Sequence, residues 1–331
     1  MKILRFVAAA GVLFAVLFTL FYGKFKISES GVSASPAEYK GIITLWHIDT
    51  FEGGVGSRKQ FLLASSRDFE KQNTGVYVMA TEHSAESAKA AFSDGKRPDV
   101  ISFGVGVEIG DFIPLDINLP AYGGGYGGNV YAVPWARGGY CIIENPDFTG
   151  NKNEKVKILV SQGEYTNPLL SYVLSGESGK EFEILPPMDA YVKFVSGKAR
   201  YLIGTQRDVN RLLTRGTDFI SKPLTGYNDL YQYMAVTAKD PVKAEYAQKF
   251  VKFILSEDIQ KNLHKIGMYG CYSAAKYDSP DMAKMQEAKF AYCLSAFSSK
   301  ALINDLQAKS FKAATGDESE LAEIKKLITP L

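Results

Sequence analysis

The chemically richest stretch of the sequence is the polar loop of residues 47–52, which follows an apolar, β-branched run at residues 42–46. The residues that could contact a ligand here are Trp46, His47, Asp49, Thr50 and Glu52. Carboxylates and hydroxyls exchange hydrogen bonds with the hydroxyls of a polyol, and an indole face gains dispersion energy against C–H groups. The mixture predicts a site for a sugar or a similar polyol. Two alternatives stay open: Trp46 as a core residue and Asp49 as the cap of a turn.

The strand before this loop and the helix after it must hold the loop in place. The apolar run predicts a buried strand, and Ser57 is expected to cap a helix over residues 58–73. Ligands of open α/β sheets bind at the carboxyl ends of the strands. A further strand, residues 99–103, places Ser102 and Phe103 at the same edge, so both are candidate site residues.

A second strand and helix unit repeats this pattern later in the chain. Residues 199–203 predict a strand, and a helix is expected from residue 209. The polar turn between them contains Thr205, Gln206 and Arg207, and the last two could supply planar donors to a ligand. For Arg207 the alternative is a salt bridge with a carboxylate such as Asp208. Two such turns facing each other would define a cleft.

Two aromatic candidates lie where the chain is expected to cross between two lobes. Trp135 stands beside a proline and is interpreted either as a ligand platform or as packing at the hinge. Tyr233 shares one face of the return strand, residues 229–237, with Tyr231, and at most that face can look into a cleft.

The sequence offers little support for catalysis, a metal or a cofactor. Its three histidines form no HExxH or HxH pattern, and neither a GxSxG elbow nor a CxxC pair occurs. The glycines of residues 123–128 match GxGxxG by composition, but a strand rather than a helix is expected after them, which argues against a dinucleotide site. We therefore predict no enzyme, no catalytic residue, no metal and no cofactor; a hydrolytic pair of Asp49 with Asp208 is the weaker alternative.

The length of the chain, 331 residues, is enough for two lobes, and its apolar N-terminal segment predicts a location outside the cytoplasm. Residues 1–40 hold five Lys or Arg against two Asp or Glu, so 33 against 34 remain in the near-neutral body, which predicts no nucleic-acid partner. The apolar residues 6–22 predict an export segment, either retained as a membrane anchor or cleaved as a signal peptide. Cys141, Cys271 and Cys293 are interpreted as buried thiols, with one disulfide as the alternative.

Taken together, the motifs resemble the extracellular solute-binding proteins of bacterial ABC importers, in the sugar-binding group that includes maltose-binding protein. The matching segments cover most of residues 41–275 and read, in chain order, ITLWH, FEGGVGSRKQFL, FEKQNTGVYV, RPDVISFG, YAVPWARGGY, VSGKARYLIGTQRD and DPVKAEYAQKFVKFILSEDIQ. Compared with that family, the second lobe is smaller, and no cysteine follows the export segment for lipidation.

The resemblance implies an α/β, type II periplasmic-binding-protein-like fold with crossing hinge strands and a central ligand cleft. Residues 1–40 would form the signal or anchor with its linker, residues 41–137 with 231–272 the first lobe, and residues 138–230 with 273–331 a reduced second lobe. The implied function is capture of a carbohydrate by a monomer that delivers it to ABC permease subunits. The alternative is a membrane-anchored, degenerate binding protein that acts as a sensor or interaction module.

Overall fold

The structure, a computed structural model, describes residues 39–149, 157–177 and 181–331. The predicted export segment, residues 6–22, lies outside the described residues. Within the part of the chain that the structure describes, no helix is both long enough and apolar enough to cross a membrane. The architecture given below is that of the unit Gly41–Leu331.

Strands and helices alternate along this unit. The strands are β1 (Gly41–Ile48), β2 (Val76–His83), β3 (Val100–Phe103), β4 (Gly125–Tyr126), β5 (Asn129–Val130), β6 (Ala132–Arg137), β7 (Tyr140–Glu144), β8 (Lys157–Ser161), β9 (Glu181–Leu185), β10 (Tyr201–Thr205), β11 (Ile220–Pro223), β12 (Tyr227–Asn228), β13 (Tyr231–Val236), β14 (Tyr292–Cys293) and β15 (Thr329–Pro330). The α-helices are α1 (Arg58–Gln72), α2 (Ala85–Ser93), α3 (Pro168–Leu174), α4 (Pro187–Val195), α5 (Gln206–Arg215), α6 (Pro241–Ile254), α7 (Glu257–Gln260), α8 (Pro280–Glu287), α9 (Lys300–Ala314) and α10 (Ser319–Leu327), and a 3₁₀ helix spans Lys261–Ile266.

The first sheet has the strand order β2-β1-β3-β13-β6. Strand β1 runs parallel to β2 and β3, and β13 runs antiparallel to β3 and β6. Helix α1 begins where Ser57 Oγ accepts a hydrogen bond from the Gln60 amide at 3.2 Å. The helix buries Phe61, Leu62 and Phe69, so its packing fixes the direction in which the chain leaves β1.

The second sheet has the order β11-β7-β10-β8-β9, with β8, β9 and β10 parallel to one another. Its core includes Leu159, Phe194, Leu202 and Leu212 from strands β8 and β10 and helices α4 and α5. Both sheets have five strands, and the reduced size of the second lobe stays a prediction. The parallel strands place the carboxyl ends of β8 and β10 at one edge, next to the N-terminus of α5.

Three passages connect the two sheets and lie side by side. Strand β6 reaches β7 through Gly138 and Gly139, and the Gly138 amide donates to the Leu230 carbonyl of the returning chain at 2.7 Å. Arg137 and Tyr269 exchange two backbone hydrogen bonds, each 2.9 Å long, where the chain passes again. The strands of each sheet fall within one predicted lobe, and the assignment of the loops and the tail to lobes stays a prediction.

Candidate functional site

A cavity of about 360 Å³ lies between the carboxyl edges of the two sheets, and we call it the cleft. It is lined by residues that follow β1, β8 and β10 and by two residues at neighbouring turns: Asp49, Thr50, Phe51, Glu52, Ser161, Gly163, Glu164, Tyr165, Thr166, Pro187, Thr205 and Leu230. The ends of parallel strands therefore supply most of the cleft wall, as the rule for open α/β sheets predicts.

Asp49 is an ionised acceptor at the cleft wall. Its Oδ1 lies 2.8 Å from Arg58 Nε and 2.9 Å from His47 Nε2, while 42% of the side chain remains exposed. Burial raises the pKa of Asp49, but the hydrogen bond from His47 and the charge of Arg58 outweigh it and hold the pKa below its usual value. The carboxylate thus stays charged at neutral pH and can accept hydrogen bonds from ligand hydroxyls.

A buried hydrogen-bond network continues from Asp49 toward the hinge strands. Ser102 Oγ lies 3.0 Å from His47 Nδ1 and accepts bonds of 3.0 Å from Trp135 Nε1 and Gln232 Nε2. A hydroxyl has one proton and two acceptor sites, so Ser102 must donate to Nδ1 of the histidine. This assigns the proton of the His47 ring to Nε2, which faces Asp49.

The loop after β1 contacts the second lobe on one side of the cleft. Glu52 Oε2 lies 3.1 Å from Arg207 Nη1 and 3.9 Å from Arg211 Nη1 of helix α5. The salt bridge that the sequence offered as the alternative for Arg207 is therefore present, with Glu52 as its partner. Arg207 and Glu52 are about one-third exposed, so the pair is worth at most about 1 kcal/mol.

The loop after β8 contacts the first lobe on the other side. Tyr165 donates a 3.0 Å hydrogen bond to Glu86 Oε1 of helix α2. Its ring packs against Gly106, where an added Cβ would lie 2.6 Å from Tyr165 Cδ1. Burial, and next the bond to Glu86, raise the pKa of Tyr165 to about 12, so the phenol remains a donor at neutral pH.

Of the twelve residues predicted from sequence, Asp49, Thr50, Glu52 and Thr205 line the cleft. Arg207 lies beside it through its bond to Glu52, and His47 and Ser102 lie behind Asp49 in the buried network. Thr205 is also the N-cap of α5, where its hydroxyl accepts from the Arg207 amide at 3.3 Å.

Trp135 presents no face to the cleft, contrary to its prediction as a ligand platform. The side chain is fully buried, and its ring stacks on Phe61 with centroids 5.6 Å apart. Phe61 comes from α1, so the indole joins the first sheet to the helix that covers it. Packing at the hinge, the alternative interpretation, describes this placement.

Trp46 also lies away from the cleft lining. Its ring contacts His83 at 4.3 Å and the edge of Phe92 at 5.6 Å between centroids. Both neighbours belong to the outer part of the first lobe, in β2 and α2. Side chains alternate along β1, so Trp46 and His47 point to opposite faces of the sheet. A residue near the end of a strand therefore need not point into the cleft.

Phe103, Tyr233 and Gln206 are fully buried and do not reach the cleft. Phe103 and Tyr233 pack together with ring centroids 5.9 Å apart in the first lobe. Gln206 Oε1 accepts a 3.0 Å bond from the Gly139 amide at the crossing. Helix α5 begins at residue 206 rather than 209. Gln206, which was predicted to lie in a polar turn, is therefore buried in the first turn of the helix.

Asp208, the weaker hydrolytic partner, is buried within that first turn. Its Oδ2 accepts the Thr205 amide at 2.9 Å and completes a capping box. Burial raises the pKa of Asp208 to about 6. The carboxylate of Asp208 thus caps the N-terminus of helix α5.

The three cysteines are free; Cys141 and Cys293 are buried and Cys271 is half-buried.

The sequence interpretation missed the loop of residues 161–166. This loop contributes Ser161, Glu164, Tyr165 and Thr166 to the cleft. The apolar run of β8 precedes it, and the rule that strand ends carry ligands applies equally to that strand. The signal was therefore present, in polar residues that directly follow an apolar strand.

Comparison with solved structures identifies the fold. The chain is similar to the GacH receptor of Streptomyces glaucescens, known unliganded and with acarbose, at 16% identity and a TM-score of 0.60 over 86% of this chain and 95% of that one. It is also similar to the maltose/maltodextrin-binding domain MalE from Bdellovibrio bacteriovorus, bound to maltotriose, at 17% identity and a TM-score of 0.54 over 83% and 94%.

A third similar structure is iron-bound HitA from Pseudomonas aeruginosa, at 15% identity and a TM-score of 0.54 over 81% of this chain and 99% of that one. No family model matches the sequence, and no curated protein matches it significantly. The predicted α/β, type II periplasmic-binding-protein-like fold is confirmed.

Proposed function

We propose that the protein is the extracytoplasmic solute-binding component of an ABC importer and captures a carbohydrate or polyol in the cleft. The observation that carries the proposal is the composition of the cleft wall. Three hydroxyl-bearing residues, Thr50, Ser161 and Thr166, and the ionised carboxylate of Asp49 line one cavity between two lobes. Polyols match such a wall, because each ligand hydroxyl can donate one hydrogen bond and accept others.

The size and electrostatics of the cleft narrow the ligand class. A volume of about 360 Å³ lies at the small end of the range for small-molecule pockets. Each carboxylate of the wall has a cationic partner: Asp49 pairs with Arg58, Glu52 with Arg207 and Glu164 with Lys300. No charge of the wall is left for an ionic ligand to neutralise, so a neutral sugar suits the site better than a charged one.

The similar structures support a binding role without fixing the ligand. Two of the proteins named above are recorded with acarbose or maltotriose, whereas HitA is recorded with iron. Among residues 39–149, 157–177 and 181–331, no group of three or more His, Cys, Asp or Glu side chains could hold a metal ion. The described part of this chain thus favours a sugar over a metal ion as the ligand.

The partners follow from the same proposal. A captured solute would pass to permease subunits in the membrane, and residues 6–22 would anchor the protein there or direct its export. We expect a monomer. The sensor or interaction role is the alternative and would leave the cleft without a sugar ligand.

A panel of mono- and oligosaccharides tests the proposal by thermal denaturation. A ligand at 100 times its dissociation constant should stabilise the folded protein by about 2.7 kcal/mol. Asp49→Asn should weaken binding of the same sugar, while Asp94→Asn, at an exposed surface position, should not. A panel without any stabilising sugar would contradict the proposal and favour the alternative.

A further inference from the structure

A second cavity, of about 490 Å³, lies beside the chain passages that join the two lobes. We call it the crossing cavity, and the residues that define it here are Tyr122, Arg137, Tyr231, Tyr272 and Phe290. It shares no lining residue with the cleft. A ligand could therefore occupy it whether or not the cleft holds a sugar.

The crossing cavity opens on the other side of the returning chain. Leu230 lines the cleft, whereas the next residue, Tyr231, lines the crossing cavity. Successive residues of an extended chain point to opposite sides. Tyr231 is the register partner of Arg137 on the neighbouring strand, so the passage from β6 to β7 and the returning passage into β13 each contribute to the cavity.

Arg137 is a buried cation without a carboxylate partner. The residue is 7% exposed, and no carboxylate of the described residues lies within 4.0 Å of its guanidinium. Its Nη1 donates to the Gly138 carbonyl at 3.4 Å, and Nη2 donates to the Gln286 carbonyl. Arg58, which is also buried, instead has Asp49 at 2.8 Å.

The positive charge of Arg137 is therefore not neutralised, and a ligand with one negative charge in the crossing cavity would neutralise it. Desolvating a guanidinium is costly unless it is paired, and carbonyl dipoles offset only part of that cost. Glu287 and Lys289 both stand at the exposed rim, so their opposite charges cancel, and the terminal carboxylate of Leu331, which also lines the cavity, is not within 4.0 Å of the Arg137 guanidinium. Arg137 thus specifies a monoanion, and its planar fork of donors matches a carboxylate.

The remaining walls are aromatic. The rings of Tyr122 and Tyr231 stack with centroids 5.7 Å apart, and Tyr272 lies 6.0 Å from Tyr122. Arg137 itself lies over the Phe290 ring at 5.3 Å. Flat, partly polar walls of this kind favour a planar ring, which gains from edge and face contacts.

Tyr122 adopts a backbone conformation that costs energy. Its φ is +46°, in the left-handed region that residues with a side chain rarely occupy. The conformation brings the Tyr122 carbonyl to Tyr233, whose hydroxyl donates to it at 2.5 Å. Strain of this kind is often retained at binding sites, and here it turns the tyrosine ring toward Tyr231.

We propose that the crossing cavity binds a small aromatic monocarboxylate, with the carboxylate on Arg137 and the ring among Tyr122, Tyr231 and Tyr272. The proposal is independent of the ligand in the cleft. Because the walls come from passages between the lobes, an occupant would also contact the segments that bend when the lobes move.

Fluorine NMR with 4-fluorobenzoate and the isosteric neutral 4-fluorobenzamide tests the site on the full-length protein. The carboxylate should show saturable line broadening and bind at least about tenfold more tightly than the amide, because a charge-assisted bond is replaced by a neutral one. Equal affinities, or no saturable binding of the carboxylate, would overturn the proposal.

Two variants locate the bound carboxylate. Arg137→Gln should weaken 4-fluorobenzoate to the level of the amide. Ala274→Trp changes an exposed residue of the lining and should block the cavity without touching Arg137, so it decides the question even if Arg137→Gln fails to fold. Unchanged broadening with Ala274→Trp would place the ligand elsewhere and refute the site. Sugar stabilisation measured on the same variant reports on the cleft separately.

Discussion

At the scale of single residues, the Ser102 hydroxyl connects the cleft to the hinge strands. It bonds His47, which holds Asp49, and it accepts from Trp135 on β6 and Gln232 on β13. Each of these groups is buried, so losing the shared hydroxyl would leave several polar atoms unpaired. The orientation of Asp49 in the cleft therefore depends on residues that no ligand touches.

Replacing Trp135 by Ala tests whether this indole is packing or platform. We expect a loss of about 3–5 kcal/mol in the free energy of unfolding, because the ring is fully buried against Phe61. Urea denaturation measures this loss, and titration of a sugar from the panel measures the affinity of the folded fraction. Trp46→Ala, at a partly exposed indole, should cost less stability. A large loss of affinity with unchanged stability would instead make Trp135 a ligand platform.

Gly104→Ala probes the close contact between β3 and the loop after β1. An added Cβ would lie 1.8 Å from Thr50 Oγ1, so Thr50 must move out of its position in the cleft wall. We expect overpacking to cost about 1–3 kcal/mol of stability and to weaken sugar binding. Gly110→Ala is the matched control, since nothing lies within 4 Å of a Cβ there. If both variants bind and melt like the wild type, Thr50 is not held by this contact.

At the scale of elements, the return crossing is tied to the second lobe by one buried carboxylate. Asp229 Oδ1 accepts from the Tyr140 hydroxyl at 2.6 Å, and Oδ2 accepts from the Asn167 amide at 2.9 Å. Tyr140 begins β7 and Asn167 caps α3, so one side chain joins a strand, a helix end and the crossing. Burial raises the pKa of Asp229 to about 6, although the hydrogen bonds to its carboxylate, first that from Tyr140, lower it.

This shift predicts how stability depends on pH. The pKa of Asp229 is higher in the folded state than its ordinary value of 3.8, so between about pH 4 and pH 6 the folded state retains a proton that the unfolded state has lost. Its contribution to the free energy of unfolding therefore falls as pH rises through this window, by about 3 kcal/mol in total.

Asp229→Asn isolates that contribution. An amide cannot titrate, and it offers one acceptor oxygen where the carboxylate accepts at two, so the variant has a cost that does not change with pH. The stability difference between wild type and variant should be larger at pH 4 than at pH 7 by up to about 3 kcal/mol. Chemical denaturation at several pH values measures it, with exposed Asp147→Asn as the control. A difference that stays constant with pH would rule out the raised pKa.

Elements and loop ends differ in how far local sequence determines them. Strand β1 and the polar residues after it form a local pattern, so Asp49, Thr50 and Glu52 were found without tertiary information. The start of α5 was missed by three residues, because the Thr205 and Asp208 capping box looked like a polar turn. Trp135 and Tyr233 could not be placed from sequence, since their burial depends on neighbours distant in the chain, Phe61 and Phe103.

At the scale of the whole molecule, the lobes touch on both sides of the cleft. Glu52 pairs with Arg207 on one side, and Tyr165 donates to Glu86 on the other. The Glu52–Arg207 pair is partly exposed and therefore weak by itself, and the second contact joins the buried Tyr165 to an exposed carboxylate through a single hydrogen bond. Weak closing contacts suit a protein that must open to admit a ligand, because the open state then lies within a few kcal/mol of the closed one.

Glu52→Gln should shift this equilibrium toward the open form. Losing an ion pair worth at most about 1 kcal/mol changes the ratio of closed to open molecules by up to about fivefold. Small-angle X-ray scattering without ligand should therefore give a larger radius of gyration for the variant than for the wild type. High salt screens the ion pair, so the radius of gyration of the wild type should then rise to that of the variant. A saturating sugar should reduce the radius of gyration of both proteins. Glu82→Gln is the matched control, because its bond to Lys59 lies within the first lobe. An identical radius for all three proteins, unchanged by sugar, would mean that the lobes form a rigid scaffold, and it would favour the interaction role over solute capture.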